Sequence, residues 1–400
     1  MDFPNVCVMG LGYIGLPTAS LLATKGFRVR GVDVRPEVVE VINRGAIHIV
    51  EPDLDILVRS AVHSGNLLAD LHPAESDVFV IAVPTPFREG HLPDLSFVES
   101  ATARILPFLR PGNLVVLEST SPVGTTEWIA RFIAEQRPEL REGGVFVAHC
   151  PERVLPGRIL HELVQNDRVV GGVDPASTEA AVAFYRRFVR GEVIATDART
   201  AELAKLSENS FRDVNIAFAN ELSMVCDRLG INVWELIRLA NRHPRVNILS
   251  PGPGVGGHCL AVDPYFIVAS APEETPLIRT ARAVNLHKEA WVVGRIRERA
   301  RRFRDPIVAC LGLSYKPDID DLRESPALAI ARHLQAEGIG TVLAVEPNVR
   351  QVDGLTLVPL QDALSRADIV VLLVAHREFR SLDPESLKEK VLIDVCGVVR

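Results

Sequence analysis

Short apolar runs alternate with amphipathic stretches through the first two hundred residues. NVCVMG (5–10), RVRGVDV (28–34), VFVIAVP (78–84), NLVVLEST (113–120) and VFVAHC (145–150) are β-branched and strand-sized, and helical spacing fills the gaps between them. That rhythm predicts βαβ units and a parallel sheet. From about 198 to 241 the character changes. TAELAKLSENSFRDVNIAFANELSMVCDRLGINVWELIRLANR has no proline and repeats its apolar residues at helical spacing, which predicts long helices. From about 305 the strand pattern returns in IVACLGLSY, TVLAVEP, DIVVLLV and VLIDVCG, with helical SPALAIARHLQAEG between. The expected fold class is α/β: two Rossmann-like doubly wound domains (1–197 and 304–400) joined by a long-helix central domain (198–303). Whether the two α/β ends are a distant duplication stays open.

Composition narrows the function classes. At 400 residues the chain is too long for one ordinary domain, and 47% hydrophobic residues leave ample core. A formal net charge of −7 argues against nucleic-acid binding, which needs a basic footprint. No apolar run reaches the roughly 18 residues that span a bilayer. The start, MDFPNVCVMG, lacks the features of a signal peptide, so a cytoplasmic protein with no membrane partner is expected. The cysteines at 7, 150, 226, 259, 310 and 396 form no CxxC pair, and no His, Cys or Asp group has metal-ligand spacing. Cys7, Cys310 and Cys396 fall in apolar strand-like runs and are expected as buried core thiols. Cys259 falls in a loop.

The first strand runs into Gly10-Leu11-Gly12-Tyr13-Ile14-Gly15 and then a helix. The glycines permit a tight turn, close approach of a pyrophosphate and close helix–strand packing, with the helix N-terminus facing the phosphates. Asp33 ends the next strand, 18 residues after Gly15, where a carboxylate binds a ribose 2′-hydroxyl and repels a 2′-phosphate. This favours NAD over NADP, with Arg35 nearby as the contrary sign. IAVPTPF and LESTSPVGT leave their strands through Thr85 and Thr120, at the edge where open α/β sheets bind ligands.

In the middle, Lys205, Asn209 and Arg212 fall at i, i+4 and i+7 and share a helix face suited to catalytic or polar substrate contacts. Glu202 and Glu208 on the same helix read as solvated. Downstream, PGPGVGGHCLAVDPYF offers four glycines before one cysteine. Asp263-Pro264 reads as an N-cap with proline at N1, which sets Cys259 just before a helix start. A thiol of pKa about 8.5 is lowered there or beside a lysine, and a thiolate near an NAD site suggests a covalent thiohemiacetal and thioester. His258 is open to two readings, a general base or the filling of a turn.

GLGYIGLP, VPTPF, ESTSPVGT, CPERVLPGR, KLSENSFRDVNIAFANE, GPGVGGHCLAVDP and LGLSYKPDIDDLRESP occur in the order expected of the nucleotide-sugar dehydrogenases related to UDP-glucose and GDP-mannose dehydrogenases. The chain resembles that family over essentially its whole length. The resemblance implies an NAD-binding first domain, a central dimerisation domain and a C-terminal UDP-sugar-binding domain. It also implies a UDP-sugar substrate and oxidation of a sugar C6 alcohol to aldehyde and then carboxylate, with two NAD reduced in turn. Cys259 resembles the nucleophile, Lys205 the acid/base or oxyanion stabiliser and Asn209 its partner. Asp263 and Glu152 resemble the acidic residues of the water and proton relay. Arg153, Val154, Lys205, Asn209, Arg212, His243, Arg245, Gly256, Tyr315 and Lys316 match sugar-nucleotide contacts, and Arg323 a cofactor contact. His243 and Arg245 look like residues reaching the ligand of a neighbouring subunit, so a homodimer or higher oligomer is implied. The chain departs from the glucose enzymes in reading PERVLPG for PEFLRE, with Pro156 at the second glutamate, and HCLAVD for SCFPKD. These departures favour an N-acetylated hexosamine.

Overall fold

The computed structural model describes residues 3–140, 144–155, 157–257 and 259–399. The chain divides into two units, Met1–Glu208 with Tyr265–Ser270, and Asn209–Pro264 with Ala271–Arg400.

The first unit is built on a sheet of β1 (Asn5–Met9), β2 (Arg28–Val32), β3 (Leu67–Asp70), β4 (Val78–Ile81), β7 (Asn113–Leu117), β8 (Val145–His149), β9 (Arg168–Gly172) and β10 (Val193–Asp197), with a small hairpin of β5 (Phe87–Arg88) and β6 (Leu92–Pro93) outside it. The order is β10-β9-β8-β7-β4-β1-β2-β3, parallel except where β8 meets β9. Strands β4 and β7 are buried on both faces, which explains the apolar runs VFVI and, after Asn113, LVVL. One face packs Leu16, Leu22, Phe27 and Phe184; the other packs Ile105, Ile129 and Ile133. Sequence order reverses between β1 and β4, the kind of switch point at whose crevice open α/β sheets bind ligands.

The second unit carries a parallel sheet of β11 (Ile307–Leu311), β12 (Thr341–Val345), β13 (Ile369–Leu372) and β14 (Val391–Asp394), ordered β12-β11-β13-β14. The 32-residue helix Ala198–Leu229 runs from the first unit into the second, its residues from Asn209 onward belonging to the second, which also carries the helix Pro276–Ala300. The turn after β11 repeats the logic of the turn after β1. Gly10 donates to Val32 O at 2.7 Å and Leu11 to the Asp33 carboxylate at 3.1 Å; Gly312 donates to Val345 O at 2.8 Å and Leu313 to Glu346 at 2.7 Å. In the second copy the carboxylate is closed off by His376, whose Nε2 lies 3.1 Å from Glu346 Oε2.

Cys7 and Cys310 are buried as expected, and burial pushes both thiols up to about 12. Cys396 is a correction. It lies beyond the end of the edge strand β14, where one flank has no neighbouring strand, and is half-buried.

Candidate active site

The glycine turn after β1 is dictated by close contacts. Gly10 has φ +93°, and a Cβ there would lie 2.6 Å from Ala82 O; a Cβ on Gly15 would lie 1.8 Å from Gly10 O. Nothing lies within 4 Å of a Cβ on Gly12, so that residue faces open space. Leu16 N–H already donates to Gly12 O at 3.1 Å, Ile14 stands immediately before the helix Gly15–Thr24, and Tyr13 packs on the core. Asp33 is buried after β2. Its Oδ2 accepts from Leu11 N–H, and its Oδ1 accepts from Arg35 N–H at 3.0 Å with Arg35 Nε at 3.3 Å. At the neighbouring strand ends, Thr85 Oγ1 donates to Thr120 O at 2.6 Å. The open Gly12 face beside a carboxylate pinned to the turn fits a dinucleotide.

Beneath this edge lies a buried ionisable cluster. Glu118, just past β7, accepts from Tyr185 OH at 2.6 Å and faces Thr18 Oγ1 at 3.5 Å, and burial raises its carboxyl to about 7. Glu152 is buried with both oxygens engaged: Oε2 accepts from Arg168 Nη1 at 2.8 Å and Oε1 from Arg153 N–H at 2.7 Å. The Arg153 guanidinium lies 2.7 Å from Glu208, and the neighbouring Val154 packs on the core. Pro156 and His258 lie outside the described residues. Lys205 is half-buried on the long helix. It adds repulsion to the burial that drives His149, at the end of β8, down to about 3.

In the second unit, Cys259 is half-buried and its carbonyl accepts from Val262 N–H at 2.9 Å and Asp263 N–H at 2.8 Å. A helical turn therefore begins at Cys259 and runs into the helix Asp263–Ser270. The N-cap expected of Asp263 is corrected: Asp263 is already helical, because Cys259 O satisfies its N–H. Its buried carboxylate instead accepts from Asn209 Nδ2 at 2.5 Å. Gly256 and Gly257 admit no side chain. A Cβ on the first would lie 2.3 Å from Glu324 O, and on the second 2.8 Å from the Tyr315 ring. Gly257 N–H donates to Arg323 O at 3.2 Å, while the Arg323 guanidinium grips Asp321 at 2.6 Å. Lys316 is half-buried, and its carbonyl accepts from Ser314 Oγ at 2.7 Å. Arg212, His243 and Arg245 are exposed, and the side chain of Asn241 clasps Ile248 across the base of the loop holding the last two. Among the described residues no His, Cys, Asp and Glu group could hold a metal ion.

Residues 4–189 match the NAD binding domain of the UDP-glucose/GDP-mannose dehydrogenase family, 199–287 its central domain and 309–400 its UDP binding domain. The chain belongs to this family. It is 57% identical to the NDP-N-acetyl-D-galactosaminuronic acid dehydrogenase of Ralstonia nicotianae, covering 100% of this chain and 97% of that one. It is 54% identical to the UDP-N-acetyl-D-mannosamine dehydrogenase of Yersinia pestis, covering 100% of both. The solved UDP-D-ManNAc dehydrogenase of Pyrococcus horikoshii superposes with a TM-score of 0.92 at 42% identity, over 99% of this chain and 96% of that one.

Two glutamates of this family member escaped the sequence reading. Glu202 is buried rather than solvated. It accepts from Gly124 N–H, Thr126 N–H and Thr126 Oγ1 at 2.6–2.7 Å and so caps the helix Thr125–Gln136. Glu51, also buried, accepts from Gly157 N–H and Ile159 N–H at 2.8 Å and holds the loop that follows Arg153. Glu208 is exposed as read, although paired with Arg153.

Proposed function

We propose that this dehydrogenase oxidises the C6 alcohol of UDP-N-acetyl-D-mannosamine to the carboxylate in two two-electron stages. A bound NAD supplies the hydride acceptor for each stage. The observation that carries the reading is Cys259 at the head of a helical turn, with Asp263 four residues on hydrogen-bonded to Asn209. A helix N-terminus favours thiolate over thiol. In this reading the Cys259 sulfur adds to C6 of the aldehyde, and oxidation of the thiohemiacetal leaves a thioester. Water then hydrolyses it to the acid and the free thiol.

Lys205, one turn before Asn209, takes the alcohol proton and steadies the oxyanion, and Asn209 donates to the reacting oxygen. Asp263 accepts a proton from the hydrolytic water. Glu152 acts on the loop it orders, its oxygens being bound to Arg168 and to Arg153 N–H. Arg153, Val154, Arg212, His243, Arg245, Gly256, Tyr315 and Lys316 contact the sugar nucleotide. Gly10, Gly12, Tyr13, Ile14, Gly15, Asp33, Thr85, Thr120 and Arg323 serve the cofactor.

A second sugar deserves a place, because the 57% identical relative is named for N-acetyl-D-galactosaminuronic acid. Turnover of UDP-N-acetylmannosamine, UDP-N-acetylgalactosamine, UDP-N-acetylglucosamine, UDP-glucose and GDP-mannose decides between them. The highest kcat/KM on the first supports the proposal, and on any other sugar refutes its substrate. The working form in this reading is a cytoplasmic homodimer. Phe211, Phe218 and Val225, seven residues apart, expose 72%, 52% and 46% of their surface along one stripe of the long helix, the pattern of a helix that pairs. No helix among the described residues is long and apolar enough to cross a membrane.

A further inference from the structure

We propose that Asn220 and Asn285 are positioning residues for Cys259, acting through the backbone of the glycine-rich loop. The inference rests on the reading of Cys259 as nucleophile. The two amides belong to a buried polar chain between the long helix and the helix Pro276–Ala300. Gly252 N–H donates to Asn220 Oδ1 at 2.9 Å, and Asn220 Nδ2 donates to Asn285 Oδ1 at 2.9 Å. Asn285 Nδ2 donates to Asp213 Oδ1 at 2.8 Å and reaches Asp213 O at 3.2 Å. Asp213 Oδ1 also accepts from Arg282 Nη1 at 2.7 Å. None of the four side-chain residues exposes more than 3% of its surface.

The charge at the far end fixes the direction of the whole chain. An amide can present either oxygen or NH2, so each asparagine alone has two settings. A carboxylate only accepts, so Asp213 turns Asn285 Nδ2 toward itself and leaves Asn285 Oδ1 for the next residue. That oxygen turns Asn220 Nδ2 inward and leaves Asn220 Oδ1 facing the loop. Only a donor fits there, and the backbone N–H of Gly252 supplies it. Apolar side chains of similar size could join two helices at no loss of stability, so helix packing alone does not call for this arrangement. What it adds is a directed acceptor for one loop amide. Gly257 N–H, bonded to Arg323 O, pins the other end of the loop two residues before the cysteine. The thiol thus follows two residues after a segment held at both ends, and a displacement of about 1 Å at a reacting group costs up to about 100-fold in rate.

The test is Asn220→Leu, which keeps the number and branching of side-chain heavy atoms and removes both hydrogen bonds. Expected are a kcat lower by about tenfold or more, an altered rate of Cys259 alkylation by iodoacetamide, and unchanged NAD affinity. A purely structural role would lower the melting temperature and leave kcat and alkylation of the folded enzyme at wild-type values, which overturns the proposal. Should Asn220→Leu not fold, hydrogen exchange on the wild-type enzyme decides. Strong protection of the Gly252 amide supports the anchor, and exchange at the unprotected rate removes it. Cys259→Ser run beside these keeps the two claims apart: full two-stage turnover in that variant sinks the nucleophile, whatever Asn220→Leu does.

Discussion

Glu118 shows how one residue ties the sheet edge to pH. Burial raises its carboxyl from 4.5 to about 7, against the pull of the Tyr185 hydroxyl and Arg168. The unfolded chain loses this proton near pH 4.5, while the folded chain keeps it to about pH 7. Between those values the native state binds more protons, so this group's contribution to stability is full below 4.5 and falls as pH rises through 7. Glu118→Gln keeps an acceptor for Tyr185 and removes the titration. Its melting temperature relative to wild type should therefore climb between pH 5 and pH 8. A flat difference would mean that Glu118 does not titrate there. At this scale the sequence displayed what is local. The three glycines, Asp33 and Cys259 announce themselves through neighbours a few positions away. Glu51, Glu202 and Asp213 do not, because their partners lie 106–108, 76–78 and 69–72 residues off. No local pattern distinguishes such a carboxylate from a solvated one.

Helix caps and loop anchors put those distant glutamates to use. Glu202→Ala strips three acceptor contacts from the start of the helix Thr125–Gln136 and leaves buried donors unmet, a loss on the order of 1–3 kcal/mol. Urea unfolding measures it directly, and a midpoint equal to wild type would show the cap to be idle. Glu51→Ala frees the loop after Arg153, so the sugar-nucleotide KM should rise with NAD affinity unchanged. An unchanged KM would separate that loop from substrate binding. Among the strands, those with short apolar stretches carrying β-branched residues were readable: β1, β2, β4, β7 and β8, and all four of the second sheet. Strand β9 was not, since RVVGG offers only two β-branched residues before two glycines. Contact demands them: a Cβ on Gly171 would lie 2.1 Å from Asp197 O, and on Gly172 2.3 Å from Thr178 N. Strand β10 sits at the sheet edge with exposed residues that blur its apolar signal.

Over the whole molecule, two sheets share one turn design and diverge in use. The first keeps its carboxylate against an open glycine face, and the second seals its own with His376. In the proposed reading the long helix serves both chemistry and assembly. Asn209 meets Asp263 from it, and the Phe211–Phe218 stripe leaves it exposed. Replacing both phenylalanines with glutamate should convert a dimer to monomers in sedimentation velocity, because each buried phenylalanine is worth about 1.5–3 kcal/mol. A wild-type enzyme that already sediments as a monomer would contradict that assembly. The most direct test of the central claim is the NADH formed per UDP-N-acetylmannosamine consumed, with Cys259→Ser measured alongside. The covalent two-stage account requires about two NADH per sugar in the wild type and loss of the carboxylate product in the variant. One NADH per sugar, unaffected by the substitution, would contradict it.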